Sequence, residues 1–227
     1  SLERRIVPLE KKAKSGDKDA KADVDLMSKA LELLRDGKPA RLADLSKDEV
    51  VPFKRLNLIT SKPVVYICNV EEDNAATGNA HSAKVFEKAA AEKAQAVVIS
   101  AAIEAEVAQL ETDEERKEFL DSLGLEETGL TQVIRAGYAL LDQITFFTIG
   151  PKEARAWTVF RGAKGPQAAG AIHTDFERGF IAAETIAYDD YIAVGGEQGA
   201  KETGKLRLEG RDYLVQDGDV FHFRFNV

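Results

Sequence analysis

The chain has 227 residues, of which 44% are hydrophobic and 31% charged, and its formal net charge at pH 7 is −8. No apolar run approaches membrane-spanning length, and the single cysteine excludes both a disulfide framework and a cysteine-rich metal site. A membrane is therefore not an expected partner. An acidic chain does not bind nucleic acid through bulk charge, so DNA is not an expected partner either, and an RNA contact requires a local basic patch.

Charge divides the chain into three segments. Residues 1–61 carry a net charge of +3 (14 basic, 11 acidic), residues 62–143 carry −9 (7 basic, 16 acidic), and residues 144–227 carry −2 (10 basic, 12 acidic). A chain of this length can hold one large domain or two to three small ones. We therefore expect three domains with these boundaries, the first of them basic.

The first segment follows the pattern of two helices joined by a turn. Apolar residues recur at helical spacing over residues 2–9 and again over residues 20–35. Residues 15–17 and 36–39, which contain glycine or proline, interrupt the two patterns. The sequence therefore predicts an antiparallel helical hairpin.

Two apolar runs of the second segment predict strands that are buried on both faces. The first covers residues 64–68 and ends abruptly at Asn69, and the second covers residues 94–99 and ends in small residues. Ligands of open α/β sheets bind just beyond the carboxyl ends of the strands, so residues 69–72 and 100–102 lie where a ligand is expected. Ordinary loop residues at the ends of a parallel sheet would give the same pattern, so both interpretations stay open here.

Helical patterns surround these two strands. Residues 84–93 form the predicted crossover between the strands, and residues 113–123 and 130–141 predict two more helices. The acidic run at residues 111–118 is typical of a solvated helix face, which we favour over a metal site.

The third segment changes from helical to alternating patterns. The predicted strands cover residues 144–149, 154–160, 191–194, 205–208 and 220–225, with one helix at residues 167–176. Trp157, Phe146, Phe160 and Phe180 are expected in the core rather than in a base-stacking platform. The pattern predicts a small mixed sheet crossed by one helix.

Two motifs resemble active-site patterns only superficially. Gly199 to Lys205 have the spacing of a phosphate-binding loop, but Leu206 replaces the hydroxyl residue and a strand follows in place of a helix. His173, Thr174 and Asp175 resemble part of a catalytic triad but lie adjacent on one segment, so we expect capping or surface roles. No catalytic residue and no metal ligand is predicted in the chain.

Several blocks of sequence resemble a known family. Asn-Val-Glu-Glu at residues 69–72 and Ser-Ala-Ala at residues 100–102 are similar to the fourth and fifth nucleotide-binding motifs of the Obg-like ATPase family, the YchF branch of the translation-factor GTPases. The later half carries more specific blocks, among them Ala-Ala-Gly-Ala-Ile-His-Thr-Asp-Phe-Glu-Arg-Gly-Phe at residues 168–180 and Gly-Glu-Gln-Gly-Ala-Lys at residues 196–201. The resemblance covers essentially the whole chain.

The resemblance implies a fold of class α/β plus α+β. Residues 1–61 would be the helical hairpin, residues 62–143 the second part of a split P-loop NTPase-type domain with a partial parallel sheet, and residues 144–227 a β-grasp (TGS) domain. In that family the hairpin follows a part that carries the phosphate-binding loop and the switch segments. The first residue is Ser1 rather than methionine, so we expect this part to be deleted, cleaved or outside the given sequence.

The resemblance also implies a base preference. Related GTPases carry Asn-Lys-x-Asp, in which the aspartate accepts two hydrogen bonds from guanine, whereas here Val70 replaces the lysine and Glu72 the aspartate. The displaced carboxylate and the different edge of adenine favour ATP over GTP. A solvated loop acid at Glu72 is the alternative. The predicted nucleotide-contacting residues are Asn69, Val70, Glu72, Ser100, Ala101 and Ala102.

The implied protein is a cytoplasmic, ribosome-associated ATPase that binds ATP with Mg²⁺, whose ligands belong to the absent part. The large ribosomal subunit is the expected partner, with RNA contacts through the basic helical segment and the TGS surface. The chain alone would be inactive, because hydrolysis requires residues that cradle phosphate and bind Mg²⁺. The alternative is a non-enzymatic module of a translation factor that binds the ribosome or RNA.

Overall fold

The computed structural model describes residues 2–226. It divides into two compact units, one of residues 2–136 and one of residues 137–226. In the described range, none of the helices combines the length and the apolar character that a membrane crossing requires.

The first unit begins with a helical hairpin. Its helices are α1 (Leu2–Lys14), α2 (Lys18–Arg35) and a shorter α3 (Lys47–Arg55). The Asp17 carboxylate accepts a hydrogen bond from the Ala20 N–H at 3.0 Å, which satisfies one of the free donors at the start of α2. The three helices pack around a common core that includes Leu2, Ile6, Leu26, Met27 and Phe53. The two predicted helices of the hairpin are therefore present.

A two-stranded parallel sheet follows. Strands β1 (Val65–Asn69) and β2 (Gln95–Ile99) are connected by α4 (Ala80–Ala91). The later helices of this part are α5 (Ala101–Val107), α6 (Asp113–Ser122) and α7 (Gly129–Leu140). In the acidic run, Glu115 accepts from the Thr112 N–H at 3.0 Å, so this carboxylate serves a helix cap.

The prediction that both strands are buried on both faces is wrong for β1, and the residues of β2 are only half-buried. Ile67 is 49% exposed, and Asn69 on the same side of the strand is exposed too. The reason is that α4 packs against this small sheet on one side, while the side of β1 that carries Ile67 and Asn69 stays open in residues 2–226. An unbroken apolar run does not by itself reveal how many faces of a strand are covered.

The second unit contains a five-stranded mixed sheet. Its strands are β3 (Gln143–Ile149), β4 (Ala154–Phe160), β5 (Phe180–Ala187), β6 (Arg207–Glu209) and β7 (Asp219–Phe225), in the order β4-β3-β7-β5-β6. The β3–β7 pair is parallel and the other pairs are antiparallel. Its helices are α8 (Gly165–Ile172), α9 (Thr174–Arg178), α10 (Tyr188–Ala193) and α11 (Glu197–Glu202).

The core of the second unit lies between the sheet and α8. Phe146, Ala168 and Ala169 have no exposed surface, and the Phe146 ring contacts the rings of Phe221 and Phe223 edge-on. Such edge-to-face contacts add to the stabilisation that comes from burial itself.

Residues 191–193 of the segment predicted as a strand, 191–194, belong to helix α10, and Val194 is the cap at its carboxyl end. Asp189 and Asp190 lie in its first turn, where carboxylates favour helix formation. Gly195 and Gly196 then end the helix with bonds from their N–H groups to the carbonyls of Ile192 and Tyr191, at 3.2 and 2.8 Å. This local chemistry outweighs the β propensity of the run.

Strand β5 was not predicted, although it is an inner strand of the sheet. Its sequence contains Ala182, Ala183 and Glu184, which have low β propensity. Pairing with β7 along almost its whole length stabilises it. The predicted helix at residues 167–176 is divided into α8 and α9, because His173 has extended backbone angles of −159° and 142°.

Candidate functional site

The carboxyl ends of β1 and β2 lie side by side. Asn69 is in register with Ile99, and the Val70 N–H donates to the Ile99 carbonyl at 2.9 Å, so pairing continues past the end of β1. The parallel register therefore brings residues 69–72 and 100–102 to the same edge of the sheet, as the sequence predicts.

Asn69 connects the two strand ends through its side chain. Its Oδ1 accepts a hydrogen bond from the Ala101 N–H at 2.9 Å. This bond fixes the orientation of the amide, and the Nδ2 group, which makes no hydrogen bond to residues 2–226, remains available as a donor. Asn69, Ala101 and Ala102 are all exposed, so the carboxamide lies at an accessible surface beside two small side chains.

Ser100 joins β2 to α5 and is 4% exposed. Its Oγ is buried and has no hydrogen-bond partner within the described residues, which is rare for a buried hydroxyl. The residue lines a cavity of about 10 Å³ together with Ile99 and Ile103, a volume at the lower limit for one water molecule. A ligand at this edge would therefore lie over the surface of the strand ends and not inside the sheet.

Glu104 supports this edge and was not predicted from the sequence. Its two carboxylate oxygens accept from the N–H groups of Gly129 and Leu130, at 2.6 and 3.1 Å, and so cap helix α7 from helix α5. A side chain at Gly129 would bring its Cβ within 2.8 Å of Ile99. Glu104 and Gly129 are 25 positions apart in the sequence, so no local pattern indicated this contact.

Glu72 and Val70 differ in their surroundings. Glu72 begins a short 3-10 turn (Glu72–Asn74), is exposed, and makes no ion pair with the residues that the structure describes. Val70 is half-buried and adds apolar surface beside Asn69. The edge thus offers an oriented amide donor, small apolar surface and a free carboxylate. These groups can bind a planar heterocycle, but they include no phosphate-binding or catalytic arrangement.

A charge cluster in which Glu92 and Arg41 are largely buried connects β1 with the helical hairpin. Glu92 accepts from Arg41 of the hairpin, from the Tyr66 hydroxyl at 2.8 Å and from Lys88 at 2.5 Å. Only 13% of the Glu92 side chain and 15% of the Arg41 side chain are exposed. Hydrogen bonds from Lys88, Tyr66 and Arg41 lower the pKa of Glu92 to about 2.

A large open cleft of the first unit lies elsewhere. It has a volume of about 1020 Å³ and lies in the helical hairpin, bordered by charges of both signs such as Lys29, Arg35, Glu32 and Asp44. It shares no residue with the strand ends.

The superficially similar motifs have structural roles. His173 Nδ1 accepts from the Asp175 N–H at 3.2 Å, which caps the short helix α9 as predicted. Gly199 lies within α11, and Lys205 pairs with Asp190 at 3.0 Å.

Of the aromatic residues expected in the core, Phe146 and Phe180 are buried and Trp157 is partly buried, but Phe160 is 67% exposed because it lies near the end of the outermost strand.

Comparison with known proteins places these features in context. The family model YchF-GTPase_C, described as a protein of unknown function (DUF933), matches residues 143–226. The chain is 51% identical over 229 residues to the ribosome-binding ATPase YchF of Bacillus subtilis and 56% identical over 227 residues to that of Haemophilus ducreyi, covering 100% of this chain in each case. Among solved structures, the YchF GTPase of Schizosaccharomyces pombe aligns with 98% of the chain at a TM-score of 0.81 and 31% identity.

The chain matches only part of these proteins. It covers 62% of each of the two bacterial relatives and 61% of the Schizosaccharomyces pombe chain. The similarity therefore concerns the hairpin, the two-stranded sheet and the five-stranded sheet described above.

Proposed function

The chain belongs to the YchF/Obg-like ATPase family, and we propose that its strand ends form the adenine-binding part of an ATP site in a ribosome-binding ATPase. In this proposal Asn69, Val70 and Glu72 contact the base from one side and residues 100–102 from the other. The names of the relatives support the ATPase assignment, and the geometry of Asn69 supports its location.

The observation that carries the proposal is the orientation of the Asn69 amide. Because Oδ1 accepts from Ala101, the Nδ2 donor faces away from that bond and can reach an acceptor such as N7 of a purine. Val70 supplies apolar surface for the ring. Glu72 replaces the shorter aspartate that would pair with guanine, and this substitution supports adenine as the base.

The phosphate end of the nucleotide requires groups that the 227 residues do not contain in motif form. No Gly-x-x-x-x-Gly-Lys-Ser/Thr sequence is present, and the nearest match, at residues 199–205, lies in a helix and a turn. We therefore expect phosphate and Mg²⁺ to be bound by a part outside the given sequence, and the chain alone to hydrolyse no ATP.

Binding of ATP and GTP to a protein that includes the phosphate-binding part tests the base assignment. Calorimetry should show preference for ATP, and the double variant Val70→Lys with Glu72→Asp should shift that preference toward GTP. Glu71→Asp is the matched control, since Glu71 is an exposed neighbour without an assigned role. Tight GTP binding by the unchanged protein would refute the adenine assignment.

A second candidate function, ribosomal RNA binding, is favoured by the tip of the helical hairpin. Exposed lysines surround the turn between α1 and α2, namely Lys11, Lys12, Lys14, Lys18 and Lys21. Clustered lysines bind phosphate groups in a salt-dependent way. Replacing three of them by glutamine should weaken ribosome binding and reduce its salt dependence. Unchanged binding would exclude this surface.

The remaining features of the proposal follow from the family. We assign residues 144–227 to a TGS-type β-grasp domain, supported by the mixed sheet packed on α8. We further propose that the protein is cytoplasmic and binds the ribosome through its large subunit; the relatives' name supports ribosome binding in general. Sedimentation of the tagged protein with separated subunits tests this assignment, and exclusive association with the small subunit would contradict it.

A further inference from the structure

The outermost strand of the five-stranded sheet, β4, has one unpaired edge. All seven of its residues pair with β3 on one side, and no described residue pairs with it on the other. The opposite outer strand, β6, has three residues and carries Arg207 and Glu209. Natural sheets protect their edges with short strands, prolines, bulges or charges. By that standard β6 is protected, whereas β4 is long and contains only one charged residue, Arg155.

The hydrogen-bond pattern identifies which groups face outward. In the turn before β4, the Gly150 N–H donates to the Glu153 carbonyl at 2.9 Å, and beyond its other end the Arg161 N–H donates to the Asp142 carbonyl at 2.8 Å. Hydrogen-bonded pairs alternate along an antiparallel ladder. Arg155, Trp157 and Val159 therefore bond to β3. The N–H and C=O groups that point away from the sheet are those of Ala154, Ala156, Thr158 and Phe160.

The outward-facing backbone groups of β4 are placed so that two copies of the strand can pair antiparallel about Trp157. In an antiparallel pair of two such strands centred on Trp157, Ala154 lies opposite Phe160 and Ala156 opposite Thr158. Every outward N–H and C=O of one strand then meets an outward group of the other. A register shifted by one residue would oppose outward groups to groups already bonded to β3.

The same register matches the charges at both ends of the strand. Glu153 of one copy lies opposite Arg161 of the other, on the same side of the sheet, and opposite charges at such positions stabilise strand pairing. Both side chains are available, with 66% of Glu153 and 64% of Arg161 exposed. Their present contacts are long, at 3.8 Å to Arg155 and 3.6 Å to Asp142. Arg155 lies over the Trp157 ring at 4.3 Å and would face Val159, so no like charges oppose each other.

We propose that the edge of β4 is an interface for a second copy of this chain, which pairs antiparallel about Trp157 and extends the sheet across a two-fold axis. The interface is isologous, because each copy presents the same strand. A single strand pair buries less area than a standard interface of about 1,600 Å², so the dimer is expected to be weak and dependent on concentration. This inference is independent of the proposed nucleotide site.

Charge reversal tests the register with the full chain. Sedimentation equilibrium should show self-association of the unchanged chain, and Glu153→Arg or Arg161→Glu alone should weaken it about tenfold because each creates two like-charge pairs. An equimolar mixture of the two variants should recover the association, since every opposed pair in the mixed dimer is again of opposite sign. Recovery in the mixture is specific to this two-fold register.

A backbone variant tests the edge itself. Ala156→Pro removes an N–H that faces outward and leaves the bonds to β3 in place, so it should abolish association. Far-ultraviolet circular dichroism and Trp157 fluorescence check that the unit still folds. Ala22→Lys, on the exposed side of α2, is the control substitution and should leave association unchanged. A chain that stays monomeric at its highest soluble concentration, or an association that neither charge variant weakens, would overturn the proposal. Capture of a foreign peptide strand by monomeric β4 would also overturn it.

Discussion

The five-stranded sheet encloses Phe146 with no exposed surface, whereas the two-stranded sheet leaves Ile67 of β1 49% exposed. Helices pack against both sheets, but only the five-stranded sheet has an extended core of aromatic side chains. The candidate nucleotide site lies on the less covered sheet. An apolar strand sequence therefore need not correspond to a buried strand, and the proposed ligand-binding edge belongs to the sheet with less internal packing.

Truncation of a core side chain should give the largest difference between the two sheets. Phe146→Ala is expected to lower the free energy of unfolding of the second unit by about 3–5 kcal/mol, because it leaves a cavity in a packed core. Ile67→Ala should cost less than about 1 kcal/mol, since half of that side chain is exposed already. Urea unfolding followed by Trp157 fluorescence reports the first change, and circular dichroism the second. Equal losses would contradict the comparison.

Acid titration of the Glu92 cluster should give the next largest effect. The pKa of Glu92 is lowered to about 2 in the folded chain, against about 4.3 when unfolded. The cluster therefore stabilises the fold fully above about pH 5 and loses this contribution as the pH falls toward 2. Glu92→Gln should lower the unfolding midpoint of the first unit at neutral pH, and the difference from the unchanged chain should vanish near pH 2. A difference that does not depend on pH would show that the charge is unimportant.

Acid titration should change the stability of the second unit less, and in the opposite direction to the change that Glu92 causes in the first unit. Asp219 is 2% exposed, and burial raises the pKa of its carboxyl despite bonds from the Tyr213 hydroxyl and the Gln216 N–H. The folded state therefore binds a proton more tightly than the unfolded state, so the contribution of this group to stability increases as the pH falls through the raised pKa. In Asp219→Asn this increase should be absent. Unfolding curves of the two proteins between about pH 7 and pH 4 measure the difference, and parallel curves would contradict it.

Local patterns predicted the helical hairpin, both strands of the parallel sheet and the position of their ends. Apolar runs and turn residues carry this information because each lies within a short window of the sequence. Local patterns failed where distant contacts decide the structure. Strand β5 has low β propensity and forms through pairing with β7, and the exposure of Ile67 depends on what packs over the sheet. The contact from Glu104 to Gly129 joins helices 25 positions apart, so no sequence window contains it.

Adenine is proposed to bind at the ends of β1 and β2, with the Asn69 amide as a donor. The most direct measurement is nuclear magnetic resonance of the chain during titration with adenosine at millimolar concentration, with guanosine as the comparison. Chemical-shift changes are expected at the Asn69 side-chain NH₂ and at the Ala101 and Ala102 amides, and they should be larger for adenosine than for guanosine. Equal changes with both nucleosides, or changes confined to other parts of the chain, would contradict this proposal.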